Sequence, residues 1–133
     1  MPVATVADAA EASLTVTEET IDDYADVVGD DNPLHLDDEY AAEGLFGGRV
    51  AHGMLTAGVV SAALADLPGD IVYVSQDLDF EKPVAPGRTV TATATVAEEL
   101  GEDRLRVETE AEADGERVLS GTAVVLSLPH DGE

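Results

Sequence analysis

Seven consecutive residues, Gly29-Asp30-Asp31-Asn32-Pro33-Leu34-His35, place a carboxylate, an amide and an imidazole close together around one proline. Imidazole is the side chain that titrates nearest neutrality, and a carboxylate and an imidazole converging on one water molecule can shuttle its protons. Asp30 and His35 are the candidate acid–base pair, and Asn32 is a candidate for orienting the loop or the water. Proline lacks an N–H and biases the residue before it towards extended geometry. The segment is therefore expected to leave the helix before it and to present its polar groups from an irregular loop. A plain turn is the competing reading, because these residue types favour turns. For His35 the competing reading is a packed structural histidine.

The surrounding elements must aim those groups. Ser13–Val16 reads as a short first strand after a loose lead-in over Met1–Ala12. Thr17 is a good N-cap, with Glu18 and Glu19 in the first turn, where the helix dipole favours negative charge. Ile21, Tyr24, Ala25 and Val28 follow at helical spacing, and Gly29 can end this helix in a left-handed conformation. Asp37–Glu43 reads as a short helix stopped by Gly44. A helix from about Gly53 to Leu67 is apolar on nearly all sides, which marks it as buried. The period then changes to two. Ile71–Phe80 is a strand with Val72, Val74, Leu78 and Phe80 on one face. Thr89–Glu98, Arg104–Ala113 and Arg117–Leu128 are further strands, and Asp114-Gly115 is a hairpin signal. One buried helix and a run of antiparallel strands give an α+β architecture: a sheet wrapped around that helix. Without repeats or linkers, residues 1–133 read as a single domain.

Gly29-Asp30-Asp31-Asn32-Pro33-Leu34-His35 resembles the hydratase signature of the MaoC-like family, and Val50-Ala51-His52-Gly53-Met54-Leu55 resembles that family's second marker. Leu78-Asp79-Phe80-Glu81-Lys82-Pro83-Val84, followed by Pro86-Gly87, is similar to its strand and turn. The resemblance implies a hot-dog fold, a homodimer or dimer of dimers, and an R-specific hydration of trans-2-enoyl-CoA to the 3-hydroxyacyl-CoA. It assigns the water to Asp30 and His35 and the oxyanion hole to the N–H of Gly53. Unsatisfied N–H groups and positive dipole charge at a helix N-terminus suit that last role. Ser61 matches a family serine and is expected near Asp30. His52 reads as structural rather than catalytic.

The charge restricts the partners. The chain carries 29 acidic and 6 basic residues, a formal net charge of -23, and no cysteine. Such a surface repels nucleic acid and anionic membrane, and thiolate and disulfide chemistry are excluded. A hydrophobic share of 44% with clear periodicity argues for a folded chain. The acidity therefore suggests a protein of a very salty cytoplasm, where like charges are screened. The start lacks a secretory signal pattern. The apolar stretch from Val50 to Leu67 is interrupted by His52, Thr56, Ser61 and Asp66, which argues against a membrane span. Coenzyme A is part of the substrate, and no separate cofactor is expected. Lys82 and Arg88, flanking the Pro83–Gly87 break, and Arg49, before the helix, are candidate contacts for its phosphates; pairing with surface carboxylates is the alternative. No His-x-x-x-His or Cys pair suggests a metal. Asp31, Asp37, Asp38, Glu98, Glu99, Glu102 and His130 read as solvated.

Three other activities compete. One is a dehydratase acting on acyl-carrier-protein or branched dicarboxylic thioesters. Another is an acyl-CoA thioesterase, which usually places a carboxylate within the central helix, where only Asp66 is available. The third is a non-catalytic acyl-binding module, which would need neither Asp30 nor His35.

Overall fold

The computed structural model describes residues 2–129; Met1 and residues 130–133, His130 among them, lie outside the described residues. The chain runs β1 (Ala9–Thr15), α1 (Glu18–Val28), α2 (Pro33–Leu36), α3 (Asp38–Ala42), α4 (Gly53–Ala65), β2 (Asp70–Phe80), β3 (Thr89–Gly101), β4 (Arg104–Ala113) and β5 (Glu116–Leu128). The five strands form one antiparallel sheet in the order β1-β3-β4-β5-β2. The long helix α4 packs against β1, β2, β3 and β4. None of the described helices is long and apolar enough to cross a membrane.

Alternation sets the sheet's inner face. Along β3, Val90, Ala92, Ala94 and Val96 are buried, and along β4 Leu105, Val107, Ala111 and Ala113 are buried, each opposite an exposed or half-buried neighbour. These side chains meet Val59, Val60, Ala63 and Leu64 of α4 in a single core. Fully burying a valine or leucine contributes roughly 1.5–3 kcal/mol, so this face anchors α4 and with it the N-terminus that begins at Gly53. The β4–β5 turn has Asp114 and Gly115 both at positive φ (52° and 87°), as a two-residue hairpin requires.

Several elements differ from the sequence reading. The first strand begins at Ala9, because Ala9–Ala12 pair with Thr95–Ala92 of β3. The lead-in is also tied down further upstream, where the N–H of Ala4, itself fully buried, donates to Ser127 Oγ at 2.9 Å. In β2 a register shift between Tyr73 and Ser75 breaks the expected alternation. A bulge moves every later side chain to the other face. Ile71 and Leu78 therefore pack on the core, while Val72 and Val74 are 45% and 43% exposed; Phe80 shares the face of Leu78 but, at the strand end, is 54% exposed.

The central helix is buried on one side only. Thr56, Ala57, Val59, Val60, Ala63 and Leu64 are buried, whereas Met54, Gly58, Ala62 and Ala65 form an exposed stripe at helical spacing. This stripe borders the exposed part of β2 across a cavity of about 370 Å³ lined by Met54, Gly58, Ser61, Tyr73 and Val74. Since β2 is also the last strand of the sheet, apolar surface and unpaired strand edge coincide there.

Candidate active site

Helix α1 is capped as its sequence implies: Thr17 Oγ1 accepts from Thr20 N, and Gly29, at φ 79°, donates its N–H to Ala25 O. Ile21 and Ala25 fix it to the core, so its C-terminus delivers the Asp30 loop to a defined place. The loop is more regular than its Asn-Pro pair implies. Pro33 occupies the first turn of the one-turn helix α2, where a missing N–H costs nothing. Asn32 is its N-cap, with Oδ1 accepting from Leu34 N at 3.0 Å. The carboxylate of Asp30 in turn accepts a long 3.4 Å bond from Asn32 N. Asn32 thus orients the loop. Asp37 is exposed, as read, and also caps α3 by accepting from Tyr40 N at 3.0 Å.

His35 is half-buried on α2, and its Nδ1 lies 2.8 Å from Val50 O. A carbonyl oxygen only accepts, so Nδ1 carries a proton, and in the neutral ring Nε2 keeps its lone pair for a water or a substrate. Asp30, exposed at the loop tip, brings a carboxylate oxygen to within 4.8 Å of a His35 ring nitrogen. A single water can bridge two groups at that spacing. His52 brings a ring nitrogen inside the same limit, so the three groups could be considered as metal ligands. The His35 and His52 rings, however, stack at 3.9 Å with planes only 25° apart. Their lone pairs run along nearly parallel planes and do not meet head-on at one ion, so the arrangement suits a shared water better than a metal.

Gly53 is the first residue of α4, so its N–H lies outside the intrahelical ladder. Gly53 and His35 both line one cavity of about 290 Å³, together with Leu34, Phe46, Thr56 and Phe80. The space a Gly53 Cβ would take is closed by the Phe80 ring, whose Cε1 lies 2.8 Å from that point. Phe80 is thus a site residue that the alternation reading concealed, because it was placed with a strand face rather than at a strand end. Leu34 and Phe46 line the cavity, as the apolar lining requires. Leu45 and Tyr40, large side chains close by in sequence, are instead 88% and 57% exposed.

Four expected site residues lie elsewhere or are engaged otherwise. Arg49 is not a phosphate contact: its side chain is 6% exposed, Nε donates to His35 O at 2.6 Å, and the guanidinium reaches Asp22 at 2.7 Å and Glu18 at 3.7 Å. It braces α2 against α1. Arg88 is held by the β4–β5 hairpin, donating to Ala113 O and pairing with Asp114 and Glu116, which is the surface-pair alternative. Lys82 also pairs with Glu116, at 3.4 Å, but it lies half-exposed on the cavity wall. Ser61 does not join Asp30. It lies two turns of α4, about 12 Å of rise, beyond Gly53 and faces the exposed β2 cavity. There its hydroxyl hydrogen-bonds Tyr73, partly opposing the burial that raises the Tyr73 phenol above its ordinary value.

Comparison with known proteins agrees with this geometry. The family model for the MaoC like domain matches residues 5–117. The chain is 40% identical to the (R)-specific enoyl-CoA hydratase of Rhodospirillum rubrum, over 88% of this chain and 83% of that protein. It is 44% identical to the 3-hydroxybutyryl-CoA dehydratase of Methylorubrum extorquens, over 77% of this chain and 67% of that one. Among solved structures, the R-hydratase PhaJ1 of Pseudomonas aeruginosa superposes with a TM-score of 0.87 at 34% identity, covering 97% of this chain and 88% of that one. The (R)-hydratase of Aeromonas caviae superposes at 0.85 with 32% identity, covering 94% and 97%. With the signature loop, the helix that starts at Gly53 and the hot-dog sheet all in place, the chain belongs to the MaoC-like family.

Proposed function

We propose that this protein hydrates trans-2-enoyl-CoA to (R)-3-hydroxyacyl-CoA, and catalyses the reverse dehydration. One observation carries the reading: His35, with a ring nitrogen within 4.8 Å of the Asp30 carboxylate, lines the same cavity as Gly53, the first residue of α4. In the forward direction a water held between Asp30 and His35 loses a proton to that pair as its oxygen bonds to C3. The C2–C3 π electrons move towards the thioester carbonyl, and the enolate oxygen is met by the Gly53 N–H and the positive end of α4. The pair then returns one proton to C2, so one water is consumed and the protein is unchanged. Lys82, at the cavity wall, is the cation best placed for a CoA phosphate.

A second copy is the natural cover for the open face of α4 and the free edge of β2. An unpaired strand edge is an aggregation hazard, and here it adjoins exposed Met54, Val72, Tyr73 and Val74. We place the homodimer, or a dimer of dimers, on this face, and the enzyme in the cytoplasm.

The thioesterase alternative lacks its carboxylate: Asp66 is the C-cap of α4, at the end opposite Gly53. The test is to follow the conjugated enoyl-thioester absorbance of crotonyl-CoA in high salt, with free thiol measured in parallel. Loss of absorbance without thiol release, and a product oxidised by an R-specific but not an S-specific dehydrogenase, is the expected result. Thiol release would mean a thioesterase, and no turnover would mean a binding module. Faster turnover of acyl-carrier-protein or branched dicarboxylic thioesters would move the substrate class.

A further inference from the structure

We propose that His52 is a positioning residue of the acid–base site, tying the Asp30 loop and the His35 ring to the start of α4. By position His52 is the N-cap of α4, yet its side chain makes no capping bond. Serine, threonine, asparagine or aspartate would cap better, so helix capping does not explain an imidazole here. Nor does solvent, since His52 is 2% exposed.

Its contacts do explain it. Nε2 lies 2.9 Å from Asp30 O, 22 residues away in sequence. That carbonyl only accepts, so Nε2 carries the proton. The bond holds the backbone of the residue whose carboxylate faces the water. The same ring stacks on His35 at 3.9 Å and meets Tyr24 of α1 at 4.8 Å. Directly after it in the chain comes Gly53. One buried side chain therefore touches the carboxylate residue and the imidazole, and is peptide-bonded to the oxyanion donor. His52 Nδ1, buried and without a partner among the described residues, is the cost of this arrangement: a residue chosen for packing alone would not bring an orphan acceptor.

The inference rests on the hydratase reading for its kinetic consequence and on the tether alone for its structural one, so the test has two arms. Glutamine can place an N–H where Nε2 stands, whereas asparagine and alanine cannot reach Asp30 O. In the full chain, His52→Gln is expected to keep kcat for crotonyl-CoA within about 5-fold. His52→Asn and His52→Ala should each lose about 10²-fold in kcat with KM changed less than about 3-fold, as displacement of a catalytic group by about 1 Å does. The second arm reads amide hydrogen exchange at Leu34 and His35, expected to quicken at least ~10-fold in the asparagine and alanine variants and not in the glutamine variant. Equal loss in Gln and Asn, or wild-type kcat in Ala, overturns the positioning role. Unchanged exchange in the alanine and asparagine variants overturns the tether whatever the activity. An inactive wild type with the expected exchange pattern would refute the hydratase reading and leave the tether standing.

Discussion

Adding one methyl group at Gly53 separates the oxyanion role from simple packing. In Gly53→Ala the new Cβ would lie 2.8 Å from Phe80 Cε1, 3.1 Å from Cδ1 and 3.4 Å from Cζ. Carbon pairs rest at about 3.5–4.0 Å, so the ring must retreat by roughly 1 Å. Phe80 is 54% exposed and free to swing outward. The packing lost is therefore small, and at the first helical position alanine gains at most about 1 kcal/mol of helix propensity over glycine. The melting temperature should move by no more than ~4 °C. The thioester oxygen, by contrast, must reach the Gly53 N–H past the new methyl. Loss of one oxyanion donor costs about 10²–10³ in kcat, and that is the expected loss on crotonyl-CoA. Phe80→Ala added to Gly53→Ala discriminates the cause. If the displaced ring were responsible, the double variant would regain activity; the oxyanion account predicts that it recovers stability but not kcat. Wild-type kcat in Gly53→Ala would refute the reasoning.

Three other perturbations test separate parts of the account. Arg49→Met keeps an apolar stem but removes the bond to His35 O. It should cost about 1.5–3 kcal/mol in denaturant unfolding while leaving KM for the CoA ester within 2-fold, whereas a raised KM at unchanged stability would return Arg49 to the phosphates. Tyr73 tests the open face between α4 and β2: its phenol is raised above the ordinary value of 10.0, mainly by partial burial. The folded state then holds this proton where the unfolded chain has lost it, so the contribution to stability is full below about pH 10 and is lost as pH rises through the folded value. Tyr73→Phe should remove that alkaline loss in melting curves, and an unaltered pH dependence would contradict it. Finally, a net charge of -23 is screened over about 3 Å at 1 M salt but about 10 Å at 0.1 M. Circular dichroism should show loss of structure on dialysis to low salt, and full folding and activity there would remove the halophilic reading.

The sequence was most legible where the constraint is local. Gly29 ends α1 and Asp114-Gly115 turns the β4–β5 hairpin because those backbone angles suit few other residues. The β3 and β4 alternation reads directly as one buried face. Legibility failed where long-range partners decide. The face of β2 was misread because the bulge at Tyr73–Ser75 follows from pairing with Val124 and Val125 of β5, far along the chain. Arg49 looked like a solvent cation because its partners, His35 O and Asp22, lie 14 and 27 residues back in the chain. The exposed stripe on α4 was hidden by uniform apolarity, which marks burial without saying whether this chain or another covers it. Within the site, the types and order of Asp30, His35 and Gly53 were readable, but Phe80 over Gly53 and the His35–His52 stack are products of packing.

Turnover of crotonyl-CoA by Asp30→Asn and His35→Ala, measured in high salt on variants shown to melt like the wild type, tests the central claim most directly. Each substitution removes one of the two groups proposed to hold the water, so each should lower kcat by at least ~10²–10⁴. Retention of full activity by either would mean that the water is activated elsewhere, and the account would be wrong.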